Sequence, residues 1–162
     1  MKESNVSEDD ISAAIEEYAD MVQRICFLYL RNSADAEDVF QEVFLKFFQN
    51  YGSLKDEEHR KAWLCRVTFN RCKDLTKSFW KRNVISFEEM EKFEIPFDDT
   101  GQEDLVRAVL ELPAEYREIV YLHYYEGYTI PEIAAMLGKN PNTAYTRLRQ
   151  AKELLRKKIG RI

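Results

Sequence analysis

The sequence predicts an all-α protein made of two small helical domains joined by an acidic linker. Five glycines and four prolines in 162 residues leave long stretches free of helix breakers. Within these stretches apolar residues recur every three or four positions, which is the spacing of an amphipathic helix. An acidic segment with only isolated apolar residues separates the N-terminal helical stretches from the C-terminal ones. We therefore expect a first domain at residues 1–82, a linker at 83–102 and a second domain at 103–162.

The first domain is predicted to contain three helices. Apolar residues at helical spacing place one helix from Ile11 to about Arg31. Ser33 is a candidate N-cap for a second helix that runs to about Asn50, and a third helical stretch begins near Glu57. The core residues expected on the second helix are Val39, Val43 and Phe47, and those on the third are Leu64, Thr68, Cys72, Leu75 and Phe79.

A second face of the third helix combines aromatic rings with basic and amide side chains. Aromatic rings can stack on unpaired bases while cations follow the phosphates, so this composition is typical of a single-strand nucleic-acid contact. The alternative is that both tryptophans belong to the core and that the cations are simply solvated. The side chains on this face are Trp63, Arg66, Asn70, Lys73, Lys77 and Trp80.

The second domain contains the most specific pattern, a helix-turn-helix. Thr129 and Glu132 have the spacing of a capping box, and Gly138 follows where a left-handed helix end favours glycine. Asn140 is then a second N-cap, with Pro141 at the first helical position. The second helix is predicted to bury Ala144, Leu148, Ala151 and Leu155 and to expose Asn142, Tyr145, Thr146, Arg149 and Lys152. Such a module reads the DNA major groove, and the alternative is a plain helical hairpin with a solvated basic face.

Charge is distributed unevenly along the chain. The formal net charge is −5, yet residues 60–82 and residues 139–162 each carry +7. The intervening segment 83–103 carries −6. A polyanion responds to the local sign of charge rather than to the overall value, so the two basic blocks indicate two separate nucleic-acid contacts.

Composition and motifs exclude several classes of function. No apolar run approaches the roughly 20 residues that cross a membrane, and the acidic N-terminus lacks the order of a signal peptide, so we expect a cytoplasmic protein. Cys26, Cys65 and Cys72 are too scattered for a disulfide framework. They fit buried free thiols better than a metal site with His59, and we expect neither a metal nor another cofactor. No metalloprotease, P-loop or nucleophile–base signature is present, which argues against an enzyme.

Taken together, these features resemble the extracytoplasmic-function (ECF) group of the sigma-70 family, the promoter-specificity subunits of bacterial RNA polymerase. The residues that carry the resemblance, in the family's order and at its usual spacing, are 35–47, 62–74, 112–120 and 128–152. The resemblance implies that residues 1–82 form sigma domain 2, which binds core polymerase and recognises the −10 element. It implies that residues 103–162 form sigma domain 4, which recognises the −35 element.

The resemblance also assigns roles to individual residues. The expected contacts with core polymerase are Asp35, Asp38, Gln41, Glu42 and Phe44. The expected contacts with −10 DNA are Lys55, Arg60, Lys61, Trp63, Arg66, Asn70, Lys73, Lys77 and Trp80. Those with −35 DNA are Thr129, Asn140, Asn142, Thr143, Tyr145, Thr146, Arg147, Arg149, Lys152 and Arg156, of which Arg147, Lys152 and Arg156 lie nearer phosphates. Tyr145 and Thr146 stand where relatives often have Lys or Ser, which leaves the −35 sequence open.

The partners that the resemblance implies are bacterial core RNA polymerase, promoter DNA and an anti-sigma factor, which in many relatives is anchored in the membrane. No small-molecule substrate is expected. Two other classes of function remain open from the residues. A helix-turn-helix transcriptional regulator with a helical sensing or dimerisation domain accounts for residues 129–162 but not for the aromatic and basic face. A helical metal-dependent hydrolase would have to rely on His59 and His123, which lie in no recognisable motif.

Overall fold

The computed structural model describes the backbone of residues 8–30, 33–79 and 103–159 and the side chains of 8–30, 33–76 and 107–159. All regular secondary structure in these ranges is helical, which confirms the predicted fold class. The chain divides into two compact units, an N-terminal unit at residues 1–97 and a C-terminal unit at residues 98–162. The predicted linker, Trp80 and the side chains of Lys77 and Phe79 fall outside the described set. Among the described helices, none is both long and apolar enough to span a membrane.

In the N-terminal unit three helices pack against one another. The helix α1 spans Glu8–Tyr29, α2 spans Ser33–Asn50 and α3 spans Glu57–Phe79, with a 3₁₀ turn at Tyr51–Ser53 before the last. These helices are the three that the periodicity predicts. The first ends at Tyr29 rather than near Arg31, and the second begins at Ser33 itself.

Phe47 is the centre of an aromatic cluster that joins the three helices. Its side chain is 0% exposed. Its ring centroid lies within 6.2 Å of the centroids of Tyr18, Phe44, Phe48, Tyr51 and Trp63. Tilted and edge-on aromatic pairs at such distances stabilise a core beyond the area that they bury. This cluster therefore fixes the faces that α2 and α3 present to solvent.

The buried face of α3 is wider than the predicted stripe. Leu64, Thr68 and Cys72 are fully buried as predicted, whereas Leu75 is only half-buried. Phe69 is also fully buried, although the stripe does not include it. The reason is that α3 packs against both α1 and α2, so it needs apolar residues on two adjoining faces.

In the C-terminal unit a long last helix packs against three shorter ones. The helices are α4 at Glu103–Leu110, α5 at Ala114–Val120, α6 at Ile130–Leu137 and α7 at Pro141–Ile159, with a π-helical turn at Tyr121–Tyr125 between α5 and α6. The alanines that are at most 5% exposed in this unit are Ala108, Ala134, Ala144 and Ala151. Small buried side chains allow α7 to lie close to its neighbours.

Candidate nucleic-acid and partner interfaces

The helix-turn-helix has the caps that its sequence predicts. The Thr129 hydroxyl accepts a hydrogen bond from the Glu132 amide (3.3 Å), and a Glu132 carboxylate oxygen accepts one from the Thr129 amide (3.0 Å). Gly138 ends α6 in the left-handed conformation, with a φ of 67°. The Asn140 side-chain oxygen accepts a hydrogen bond from the Asn142 amide (2.8 Å) at the start of α7. These local bonds give the turn between α6 and α7 one defined geometry.

Capping limits what two of the predicted DNA contacts can offer. The side-chain oxygens of Thr129 and Asn140 already accept hydrogen bonds from backbone amides. Both residues are exposed at helix starts, where their first physical role is to hold α6 and α7 in position. A base or phosphate could contact these two residues only through atoms that are not already engaged in the caps.

The helix α7 separates its residues into the two predicted faces. Its buried face consists of Ala144, Leu148, Ala151 and Leu155, each at most 7% exposed. On the other side Asn142, Tyr145, Thr146 and Arg149 are exposed, as is Thr143. The Tyr145 side chain keeps 54% of its surface exposed. Amide, aromatic, hydroxyl and guanidinium groups along one helix face have the chemistry that base edges require.

An open groove runs beside this exposed face, between α7, the start of α6 and the π-helical turn. The groove is lined by the apolar side chains of Ile130, Pro131 and Leu148 and by the cations Arg149, Lys152 and Arg156. The Lys152 ammonium lies 5.6 Å from the centroid of the Tyr124 ring, within cation–π range. His123 also lines the groove, and its Nδ1 lies 2.8 Å from the Tyr128 carbonyl oxygen. A cationic edge over an apolar floor can meet both the phosphates and the base edges of a duplex.

Arg147 is the member of the predicted −35 set that faces elsewhere. At 100° per residue it lies about 160° around α7 from Arg149. Its guanidinium is 3.6 Å from the Glu115 carboxylate of α5. Arg147 thus lies on the flank of α7 that faces α5, away from the groove, and its phosphate contact stays a prediction.

Two further polar links on the same flank hold α7 in place. The Tyr116 hydroxyl donates to the Gln150 side-chain oxygen (2.9 Å). The Lys158 ammonium donates to the Glu111 carboxylate (2.8 Å). The flank that is tied to the rest of the unit is thus distinct from the face that borders the groove.

In the N-terminal unit the aromatic and basic face of α3 is partly exposed. Arg66 and Asn70 are exposed, whereas Trp63, Lys61 and Lys73 are half-buried. The centroid of the Trp63 ring lies 5.9 Å from the centroid of the Phe47 ring. Trp63 therefore contributes to the core and still keeps some surface on this face.

The loop before α3 is organised by its own side chains. The Asp56 carboxylate accepts a hydrogen bond from the His59 amide (2.8 Å), and His59 Nδ1 accepts one from the Lys55 amide (3.3 Å). The Arg60 guanidinium lies 4.6 Å from the centroid of the Tyr51 ring. Of the basic side chains predicted to meet DNA here, Lys55 is exposed and Arg60 is half-buried against that ring.

Glu42 is engaged within the N-terminal unit. One of its carboxylate oxygens accepts a hydrogen bond from Arg71 Nε of α3 (2.6 Å), and the other lies 3.5 Å from Lys46 Nζ. The hydrogen bond from Arg71 lowers the pKa of Glu42 below its ordinary value. Because two cations already neutralise its charge in part, Glu42 offers less attraction to an external partner than its place on α2 suggests.

The exposed face of α2 differs from the predicted one at Phe44. Asp38 and Gln41 are exposed and Asp35 is half-buried, so these three can meet a partner. Phe44 is only 3% exposed, because it packs into the aromatic core, and its assignment as a direct contact is corrected. Leu45 is 58% exposed instead. It follows Asp38 by seven positions and Gln41 by four, the spacing of one helix face, and this spacing could have identified it.

The three cysteines are free and buried, which confirms the interpretation as buried thiols. A hydrogen bond with Cys26, together with burial, raises the pKa of the Cys72 thiol well above its usual range. The Cys65 thiol lies 3.5 Å from the Met21 sulfur. Among the side chains that the structure describes, no three potential metal ligands come together.

Two family models match this chain, in the order that the sequence suggests. The model of Sigma-70 region 2 matches residues 14–82, and the model of Sigma-70 region 4 matches residues 102–155. The chain belongs to the sigma-70 family. It is 29% identical over 157 residues to the RNA polymerase sigma factor SigV of Bacillus subtilis strain 168, covering 96% of this chain and 95% of that relative. It is 26% identical to the ECF RNA polymerase sigma factor SigW of the same strain, covering 94% of this chain and 90% of that relative.

A solved structure has a similar fold. It is the sigma factor RpoE in complex with the anti-sigma factor NepR from Bartonella quintana. The TM-score is 0.71 at 18% sequence identity, over 94% of this chain and 98% of that chain. The family matches and the ECF relatives together identify the chain as an RNA polymerase sigma factor of the ECF type.

Proposed function

We propose that this sigma factor binds bacterial core RNA polymerase through α2, reads the −35 duplex with α7 and captures unpaired −10 bases with α3. The observation that carries the proposal is the exposed face of α7, which sits on a helix-turn-helix whose caps and turn are satisfied. On that face Asn142, Tyr145, Thr146 and Arg149 are available to base edges. Lys152 and Arg156, at the edge of the groove, are placed for phosphates.

The −10 contact works on separated strands. Opening a duplex costs a few kcal/mol of unstacking, and binding the exposed bases offsets that cost. We assign stacking to Trp63, base contacts to Asn70 and phosphate contacts to Arg66, Lys61 and Lys73. Trp63 is suited to this role because its core contacts hold the ring in place before a base arrives.

The polymerase contact is centred on Asp38, Gln41 and Leu45 of α2. An exposed leucine beside acidic and amide groups can anchor a protein interface, while the carboxylates steer a basic partner. Asp35 lies at the edge of this surface. Glu42 acts through its bond to Arg71, which holds α2 against α3.

We further propose that residues 1–82 act as the polymerase-binding and −10 domain, 83–102 as the linker and 103–162 as the −35 domain. The factor supplies recognition and no catalysis of its own, and it works in the cytoplasm, where polymerase and DNA are found. The RpoE structure is that of a sigma factor held by an anti-sigma factor, and this likeness supports an anti-sigma partner for this chain.

Run-off transcription with purified core polymerase and genomic fragments tests the proposal. We expect specific initiation only when the sigma factor is present, and weak binding to duplex DNA until polymerase is added. A conventional helix-turn-helix regulator would instead bind its duplex alone at about 10⁻⁸ M or better. Tight duplex binding without polymerase, combined with no initiation, would favour the regulator and contradict the proposal.

The polymerase contact has its own test. Leu45→Ala should weaken the association of the sigma factor with core polymerase, measured by fluorescence anisotropy of labelled protein. The matched control is Gln23→Ala, which truncates an exposed side chain on α1 and should leave this affinity unchanged. Equal affinities of the wild-type protein and the two variants for core polymerase would remove Leu45 from the proposed interface.

A further inference from the structure

Thr146 offers the groove a methyl group rather than a hydroxyl donor. Its side chain is exposed on the base-facing side of α7. Its hydroxyl donates a hydrogen bond to the Asn142 carbonyl oxygen one turn earlier (2.9 Å). A hydroxyl has a single proton, so none is left to donate to a base. Thr146 can therefore offer a base its γ-methyl group, in a contact in which it donates no hydrogen bond.

The groove that Thr146 borders also contains apolar side chains beside its cations. Tyr145 is the next residue along α7, with 54% of its side chain exposed. Both residues line the groove, as do Ile130 and Pro131 at the start of α6. The Tyr145 ring and the Thr146 methyl group point about 100° apart on α7, but both border the groove and offer it apolar surface.

One base has an apolar group in the major groove. Thymine carries a C5-methyl group there, whereas cytosine carries only a hydrogen at C5 and the purines present hydrogen-bonding groups. We propose that Thr146 and Tyr145 select thymine in the −35 element by van der Waals contact with its methyl group. Arg149, one turn after Tyr145, reads a neighbouring base by hydrogen bonds. This inference rests on the proposed −35 role of α7 and states which chemical group that role recognises.

The test replaces thymine by deoxyuridine, which differs only by the missing methyl group. A −35 sequence is first selected from a randomised promoter pool by the reconstituted polymerase holoenzyme. Each thymine of the selected −35 element, on either strand, is then replaced singly by deoxyuridine, and holoenzyme binding is measured. We expect binding to fall about fourfold at one or two positions, the factor that corresponds to losing one buried methyl group.

Two variants of Thr146 separate its methyl group from its hydroxyl. Thr146→Val keeps a methyl group and removes the hydroxyl, so the thymine preference should persist. Thr146→Ser keeps the hydroxyl and removes the methyl group, so thymine and deoxyuridine should be bound about equally at the affected position. Tyr145→Ala should also reduce the preference. Thermal melts followed by circular dichroism check that these exposed substitutions leave the protein folded.

The outcomes distinguish this inference from the function on which it rests. Selective initiation with no deoxyuridine effect at any position would overturn the methyl contact and leave the −35 role intact. The reverse behaviour of the two Thr146 variants, with Ser active and Val impaired, would show that the hydroxyl is the reading group. No sequence-selective initiation at all would overturn both.

Discussion

The two units of this protein present their functional side chains in different ways. In the C-terminal unit the candidate DNA-reading side of α7 is exposed, while the opposite flank contacts the rest of the unit through Arg147, Gln150 and Lys158. In the N-terminal unit single side chains serve both purposes. Trp63 packs on Phe47 and still lies on the candidate DNA face, and Glu42 of the candidate polymerase surface is bound to α3.

This difference follows from what builds each unit. The turn of the helix-turn-helix is set by caps and one left-handed glycine, which act over a few residues. The N-terminal unit depends on an aromatic cluster in which Tyr18 of α1 and Trp63 of α3, both distant in sequence, meet Phe47 of α2. Recognition and stability are therefore separable in the C-terminal unit, whereas in the N-terminal unit they share residues.

Phe47→Ala should destabilise the N-terminal unit by about 3–5 kcal/mol, because it empties the centre of the aromatic cluster. Both tryptophans of the chain lie in residues 1–97, so urea denaturation followed by tryptophan fluorescence reports on this unit alone. Circular dichroism should then show a second, unshifted transition from the C-terminal unit. A common shift of both transitions would mean that the two units unfold as one.

Arg149→Ala should relax base selectivity at one −35 position, at a cost of about 1–3 kcal/mol if its contact is bidentate. The matched control is Arg147→Ala, which removes a cation of the same helix from the flank bound to Glu115. Promoter profiling with the holoenzyme should show altered selectivity for the first variant and an unchanged preference for the second. Uniform weakening across all sequences would instead assign Arg149 to a phosphate.

Gly138→Ala should destabilise the C-terminal unit by about 1–2 kcal/mol, because a Cβ atom is disfavoured at a φ of 67°. No heavy atom lies within 4 Å of where that Cβ would stand, so the loss comes from the backbone alone. Gly138→Asn should cost less, since asparagine tolerates this conformation better. The measurement is urea denaturation followed by circular dichroism, and equal losses for both variants would contradict the backbone explanation.

The smallest expected effect concerns pH. Arg71 lowers the pKa of Glu42 in the folded state below its ordinary value of 4.5. The stabilisation is therefore fully present above pH 4.5 and is lost as the pH falls through the lowered value. Urea midpoints from tryptophan fluorescence between pH 7 and pH 3 should show this loss, and Glu42→Gln should remove that part of the pH dependence. An unchanged pH profile in the variant would mean that the bond contributes nothing measurable.

Much of the C-terminal unit could be predicted because its signals are local. The capping box, the glycine at the helix end, the proline at the first position and the four buried residues of α7 all agree with the structure. The π-helical turn at Tyr121–Tyr125 could not be predicted, since no residue pattern distinguishes it from an ordinary helix. The burial of Arg117 and Glu118 could not be predicted either. Both are 1% exposed, whereas charged residues on a helix are ordinarily predicted to face solvent.

Local sequence patterns predict the helices, because caps and periodicity act within a turn or two of chain, and composition alone locates the two basic blocks. The tertiary structure adds which individual side chains on these helices are covered by neighbours and which are available to a partner. Phe44 is buried and Leu45 exposed, and Arg147 is tied to α5 while Arg149 borders the groove. These choices depend on which neighbours cover a helix. Such neighbours are set by packing between residues that are distant in the chain, so caps and periodicity indicate only part of the outcome.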